Sequence, residues 1–518
     1  MPNANLFAAL RAALPEDLDA CAIECAEPLA DGSTACYSWR DLDRGTAMLA
    51  NLLASLDLPA GSRIAVQTEK SVETLMLYLA VLRAGYVYLP LNTAYQASEL
   101  EYFIANAEPA VVVCSGRQFG WVSKLAFVAG TQYVFTLNED RSGSLLERAA
   151  HCSDQHEVAV KQADELAAIL YTSGTTGRSK GAMLSHGNML SNAQTLKSFW
   201  GWRTPAEGGD VLIHALPIFH VHGLFVACHG ALLNGSKMIW FNRFDAPAVI
   251  RRLPEATMFM GVPTLYVRML AEASLTRETC RHMRLFISGS APLLIETFKD
   301  WQTRTGHTIL ERYGMSETLM LTSNPCKPED GDRVGGTVGP ALPGVQVRIV
   351  NDQGEPCAID GIGNIQVRGP NVFSGYWRMP EKTREEFSLD GWFKTGDVGL
   401  CDAKGYFRIV GRSKDLIISG GYNVYPAEVE GYLNELAGVA ESAVIGVPHP
   451  DFGEGVVAVL VARAGTRLDG PEVIDQLKGR IANFKQPKHV YVVTELPRNT
   501  MGKVQKNRLR EQYKATFA

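Results

Sequence analysis

The residues best suited to chemistry stand at 171–181, YTSGTTGRSKG, where hydroxyl-bearing side chains are interleaved with glycines and cations follow. Such a stretch suits a polyphosphate, because glycine lets the backbone come close while N–H, hydroxyl and cationic groups supply donors. It is not a P-loop, which requires GxxxxGK[ST]: Lys180 is preceded by Ser179 and followed by Gly181. On these residues alone, a phosphate cradle of another kind and an ordinary solvated Gly/Ser/Thr turn both fit. A second concentration lies in residues 211–233, VLIHALPIFHVHGLFVACHGALL, with His220, His222 and His229. No acid stands within that stretch to complete a metal site, so packing or substrate contact is expected of these imidazoles rather than zinc ligation.

The elements that position such residues belong to a long chain. At 518 residues and 46% hydrophobic content, several structural units with sizeable cores are expected. A formal net charge of −5 without a long basic run gives no electrostatic footprint for nucleic acid or an anionic membrane, and favours a small-molecule partner. The ten cysteines show no repeated short spacing and read as reduced thiols and small hydrophobes, not as a disulfide framework. Cys21 and Cys25 are too isolated to suggest a metal site. The opening MPNANLFAALRAALPEDLDAC lacks the pattern of a signal or transit peptide, which makes a cytoplasmic location the expectation. Residues 211–233 are long enough to span a bilayer, but histidines, a proline and glycines interrupt them. A buried strand, turn and helix is expected there, and no membrane insertion.

Short apolar runs (RIAVQTE, AVVVCS, LAAILYTS, MFMGVP, RLFISGS) alternate with helical-period stretches (SVETLMLYLAVLRAG, GNMLSNAQTLKSFW) through residues 1–340. This is the pattern of an α/β protein with largely parallel sheets. After the glycine-rich stretch a helix should begin near SHGNML, with Ser185 as its N-cap. From about 345 to 411 the text becomes short strands broken by Gly and Asp, the signature of a small β subdomain. The charged GRSKD at 411–415 suggests a hinge, and the alternation after it, including helices at AEVEGYLNEL and PEVIDQLKGRIANF, a compact α+β cap. The expected division is therefore 1–411, a hinge at 412–415, and a cap at 416–518.

The glycine-rich loop does not stand alone. SGSAP (288–292), YGMSE (313–317), GYWRMPEKT (375–383), GWFKTGD (391–397), GRSKD (411–415), GGYNVYPAEVE (420–430) and PRNTMGKVQK (497–506) follow in order. Together they resemble the adenylate-forming superfamily of acyl-CoA synthetases, luciferases and peptide-synthetase adenylation domains, over nearly the whole chain. The wording FHVHG, GVPTLYVRML, NPCKPEDGDRV and NTMGKVQKN is most similar to that of the malonyl-CoA synthetases within it. The resemblance implies two parallel α/β sheet subdomains, a small β-barrel subdomain and a mobile cap. It implies two half-reactions: a carboxylate attacks the α-phosphorus of ATP, giving an acyl-adenylate and pyrophosphate, and the thiol of CoA then displaces AMP.

The resemblance also assigns roles. Thr172, Ser173, Gly174, Thr175, Thr176, Gly177 and Lys180 would hold the phosphates. Glu317 would bind Mg²⁺, a hard cation suited to carboxylate and phosphate oxygens, with Thr176 or Thr318 assisting. Gly289, Ser290, Ala291 and Pro292 would border the adenine and Tyr313 stack on it, within the segment Gly314, Met315 and Ser316. Asp397 and Arg412 would meet the ribose. Lys503 would reach between carboxylate and α-phosphate; Lys414 would be the hinge, and Gly420 and Gly421 would line the CoA tunnel. Lys503 would also be a target of a lysine acetyltransferase and deacetylase, since acetylation erases its charge.

A short diacid brings a second carboxylate that must be paired when buried, and arginine offers the matching planar fork. Arg243, in WFNRFD, is the first choice for that carboxylate with His222 beside it; Arg268 and Arg284 follow, and Met315 would limit pocket depth. Malonate is the leading acid and methylmalonate a second. The alternatives are a CoA ligase for oxalate, acetate or an aromatic acid, or a luciferase-like adenylating oxygenase.

Overall fold

A computed structural model describes residues 3–28, 32–172, 179–499 and 502–517. Two large sheets form its body. The first has six strands in the order Tyr133–Thr136, Val111–Cys114, Arg63–Gln67, Val87–Pro90, Leu166–Thr172, Lys180–Ser185, parallel except for the last pair. The second has eight, in the order Leu319–Ser323, Ile309–Met315, Leu285–Ser288, Met258–Gly261, Val211–His214, Lys237–Trp240, Cys21–Pro28, Thr34–Ser38. Only its two edge pairings are antiparallel. The near-continuous apolar text of these strands follows from their coverage on both faces. The helix Val72–Arg83 is apolar nearly all round; every one of its residues is buried, the apolar ones in the principal core.

The expected small β-barrel takes the form of a four-stranded antiparallel sheet, Gln346–Val350, Gly363–Arg368, Phe393–Cys401 and Phe407–Arg412. Beyond it, Ile417–Ser419, Tyr422–Val424, Val439–His449, Gly453–Ala462 and His489–Val493 make a five-stranded sheet with its own two apolar clusters. The helix expected over PEVIDQLKGRIANF is shorter, Gly470–Leu477, because the chain turns extended at Lys478 and then into positive φ (75°) at Gly479.

Two further expectations change, and that for residues 211–233 holds. The glycine-rich stretch leads into a second strand, Lys180–Ser185, antiparallel to Leu166–Thr172, and only then into the helix His186–Phe199. Ser185 caps that helix, its side chain accepting from the Asn188 N–H. Residues 211–233 supply the strand Val211–His214, a π-helix His222–Cys228 and the short helix His229–Leu232, almost wholly buried in the core. Gly223 is obligatory there, since a Cβ would lie 2.1 Å from the Pro217 carbonyl oxygen. Among the described residues no helix is long and apolar enough to cross a membrane. The cysteines are not all thiols: antiparallel pairing of the first two strands brings Cys21 and Cys36 to a Cα separation of 5.9 Å, joined as a disulfide. Proximity across a hairpin, which spacing alone does not reveal, is the reason.

Candidate active site

The C-terminal ends of the parallel strands converge with the β subdomain and the cap, where open α/β sheets characteristically bind ligands. Strand pairing sets Asp397 opposite Arg412, whose Nε lies 2.8 Å from Oδ1. The Tyr313 hydroxyl donates to the other carboxylate oxygen. Asp397 is buried, and its charge raises the pKa of Arg412. Ser290 holds a positive φ (71°) in the turn after Leu285–Ser288, followed by Ala291 and Pro292. Gly314 has no room for a side chain, as a Cβ would meet the Leu319 carbonyl oxygen at 1.9 Å. That close approach forms the turn through Met315 and Ser316 that delivers Glu317.

Glu317 is buried and accepts a hydrogen bond of 3.0 Å from the Tyr376 hydroxyl. Burial raises its pKa, opposed by that bond and by the charges of Lys180 and Arg412. Lys180 stands 4.3 Å from the Tyr376 ring centroid and 3.3 Å from Glu386. Thr318 is fully buried, its hydroxyl on the Leu319 carbonyl at 3.3 Å. Thr172 ends its strand; Ser173, Gly174, Thr175, Thr176 and Gly177 lie outside the described residues.

Among the described residues no group of three His, Cys, Asp or Glu side chains could hold a metal. A buried carboxylate within electrostatic reach of Lys180 and Arg412 nonetheless fits Mg²⁺, which is commonly held by one or two carboxylates together with substrate phosphates.

Lys503 belongs to the cap but reaches this group. Its backbone is fixed in a tight turn, N–H to the Asn499 side chain at 2.9 Å, with Arg498 bonded to the Gly502 carbonyl (2.6 Å) and to Glu441 (2.7 Å). Gly502 has φ of 73°, and a Cβ there would stand 2.9 Å from the Thr264 hydroxyl, so glycine lets the cap touch the large lobe. The side chain keeps access to water within an enclosed cleft. Enclosure pushes its pKa down to about 8, helped by Arg412 and Arg312 and opposed by Asp397 and Glu317.

The residue missed by sequence reasoning is Arg312. It is 2% exposed, and neither Nε nor Nη2 has a hydrogen-bond partner among the described residues. Burial lowers its pKa to about 9, which leaves it charged at neutral pH. A Cβ on Gly289 would lie 2.6 Å from its guanidinium carbon, so the glycine makes room for the arginine. His222, also buried, has Nδ1 3.3 Å from the Ser290 hydroxyl and, among the described residues, no partner for Nε2. Burial, with Arg312 next in effect, holds His222 well below the ordinary histidine pKa, so the ring is neutral. His220 is pushed to about 3 by burial, with Lys503 and Arg312 adding to it. An unpaired fork beside a neutral imidazole is a site for a carboxylate.

Arg243 is elsewhere. Its side chain is 75% exposed, 3.5 Å from Glu139, at the lining of a cleft of about 670 Å³. Arg268 lines the same cleft, and Arg284 is engaged by buried Asp210 at 2.7 Å. The expectation that Arg243 pairs with a buried carboxylate therefore gives way to Arg312: an exposed cation with an acid beside it lacks the unmet demand of a buried one. The cleft is also walled by residues 215–219, which run directly into His220. Met315, half-buried, packs on the core near Arg312 in the same strand.

Lys414 lies in a short helical turn between two anchored neighbours. Ser413 bonds to Asn364 and the Gly396 carbonyl on the large-lobe side, and Asp415 pairs with Arg510 of the cap at 2.9 Å. Gly420 and Gly421 form the turn of a cap hairpin, with φ of 59° and 82°.

Residues 16–377 match the AMP-binding enzyme family, and residues 428–503 its C-terminal domain. The chain belongs to the AMP-binding enzyme family. Within that family, the ATP-bound crystal structure of MatB from Rhodopseudomonas palustris is 53% identical over the full length of both chains, with a TM-score of 0.95. The apo structure of the same MatB gives 0.83. This AMP-binding enzyme thus superposes more closely on the ATP-bound form than on the apo form. A malonate–CoA ligase from Arabidopsis thaliana is 33% identical, covering 87% of this chain and 78% of that protein. A feruloyl-CoA synthase from Amycolatopsis sp. is also 33% identical, over 93% and 95%. Identity at that level does not choose the acid.

Proposed function

We propose that this AMP-forming acid–thiol ligase joins malonate to CoA, and that Arg312 selects the diacid. The observation that carries this reading is a buried, charged guanidinium with two nitrogens unpartnered among the described residues. Ferulate and other monoacids offer it no second anion, and leaving it unpaired in the complex is costly. The likeness to a malonate–CoA ligase supports the same choice.

In the first half-reaction one malonate carboxylate faces the α-phosphate while the other lies on Arg312, with Nε2 of His222 beside it. Negative charge crowds as the carboxylate oxygen bonds to phosphorus and the bond to pyrophosphate breaks. Catalysis is then positioning plus electrostatic stabilisation. Lys503 stands between the two anions and neutralises both. Thr172, Lys180 and the intervening loop, with Thr176, hold the β- and γ-phosphates; Asp397 and Arg412 hold the ribose; Ser290, Ala291, Pro292 and Tyr313 border the adenine. Mg²⁺, when bound at Glu317, supplies charge neutralisation on the phosphate oxygens.

In the second half-reaction the cap turns about Lys414, the one residue between anchors on either lobe, and withdraws Lys503. The thiol enters along the cleft, with Gly420 and Gly421 brought to its wall; it gives up its proton to water, sulfur bonds to the acyl carbon, and the acyl–oxygen bond breaks as AMP leaves. The hinge at 412–415 thus divides a large lobe from the cap. We place the enzyme in the cytoplasm, where both nucleotides are supplied, and regard Lys503 as the lysine whose acetylation would stop adenylation.

With malonate, ATP, CoA and Mg²⁺, the enzyme is expected to form malonyl-CoA, AMP and pyrophosphate in equal amounts, measured by chromatography. ADP and phosphate as products, or no thioester, would overturn the reading. The pH dependence is also set. Lys503 acts as a cation, and its pKa is lowered from 10.5 to about 8. Activity per free enzyme should therefore fall as pH rises through about 8, read as kcat/KM for ATP in malonate-dependent pyrophosphate release.

A further inference from the structure

Lys180 is shared between two neighbours. Its ammonium lies 3.3 Å from Glu386 and 4.3 Å from the ring centroid of Tyr376, whose hydroxyl in turn donates to Glu317. Both members of the ion pair are about four-fifths buried, with side-chain exposures of 20% and 22%, so solvent screens them only partly. Glu386 is held firmly. It ends the helix Pro380–Glu386, and that helix is tied to Tyr376 by a hydrogen bond from the Tyr376 N–H to the Thr383 hydroxyl at 2.9 Å.

A second lysine completes the arrangement. Lys382 lies 3.1 Å from Glu386 and 2.9 Å from Glu385. If Lys180 turns to another anion, Glu386 retains Lys382 and is not left unpaired. The cost of transferring Lys180 from Glu386 to a phosphate is correspondingly small, and so is the cost of returning it.

Resting on the proposed function, which sets Lys180 beside the β- and γ-phosphates, we propose that Glu386 competes with pyrophosphate for Lys180 and so hastens its release after adenylation. Glu386 is a positioning residue: it acts through Lys180. Its carboxylate weakens the grip on both triphosphate and pyrophosphate, and it recaptures the lysine as pyrophosphate departs.

The test uses Glu386→Gln, which keeps the shape and removes the charge, with Glu386→Asp and Glu385→Gln beside it. Pyrophosphate is titrated calorimetrically into each full-length enzyme with Mg²⁺, and product inhibition is measured in the malonate assay. Glu386→Gln should bind pyrophosphate about two- to fivefold more tightly, the scale of one partly exposed ion pair. KM for ATP should fall with it while KM for malonate stays. Glu386→Asp should lie between, and Glu385→Gln should match the parent. Unchanged or weaker pyrophosphate binding in Glu386→Gln, with a fully active parent, overturns this inference alone. A parent that forms no pyrophosphate from ATP with any short acid overturns the functional reading and takes this inference with it.

Discussion

Replacing Lys503 with alanine is expected to cut malonate-dependent pyrophosphate formation about a thousandfold, the scale of losing one preorganised charge-stabilising group. The same variant should convert supplied malonyl-adenylate and CoA to thioester at close to the parental rate. The split follows from position. Lys503 is the cap residue within electrostatic reach of Asp397, Glu317, Arg412 and Arg312, where the anions of the first half-reaction must meet. The second half-reaction requires the cap to have moved, so the ammonium is then absent from the reacting atoms. A folding defect would instead lower both halves together. Separate assays of pyrophosphate release and of adenylate-to-thioester conversion distinguish these outcomes; full retention of the first would remove the lysine from the mechanism.

Arg312→Met should have the second large effect, and a selective one. Removing one partner of a buried charge pair costs about 2–5 kcal/mol, or about thirty- to several-thousandfold. The catalytic efficiency for malonate should fall by that amount, while propionate, which lacks the second carboxylate, should be used as well as before or better. Arg243→Met, by contrast, removes an exposed cation 3.5 Å from Glu139, and the preference between the two acids should change little. Equal losses for malonate and propionate in Arg312→Met would remove the pairing.

Much of this was legible in the sequence because certain residues are demanded by chemistry at fixed places in motifs. Asp397, Arg412, Glu317 and Lys503 fall in four separate motifs, and the fold brings all four within electrostatic reach of one another. The strands were legible because both faces of a parallel sheet are covered, leaving short apolar runs between turn residues. Arg312 was not. In ILERYGMSE two consecutive charges point to opposite sides of a strand, and such text ordinarily marks a solvated face. Here both Glu311 and Arg312 are buried, and burial of this kind is a property of the neighbours: Gly289, just past the strand Leu285–Ser288, and the π-helix bearing His222. The one local signal was a cation directly before the YGMSE turn. Arg243 misled for the converse reason, since a sequence displays a charge but not whether the fold has already paired or exposed it. The disulfide between Cys21 and Cys36 likewise depends on strand register, which composition does not encode.

We propose that two cations within electrostatic reach of each other, Arg312 and Lys503, make this an adenylating site for a short diacid. It is tested most directly by acid-dependent exchange of labelled pyrophosphate into ATP without CoA, comparing malonate with propionate on the parental enzyme. Exchange with malonate should exceed that with propionate by about a hundredfold or more, following the cost of an unpaired buried charge. Equal exchange with both acids, or none with malonate, would contradict it.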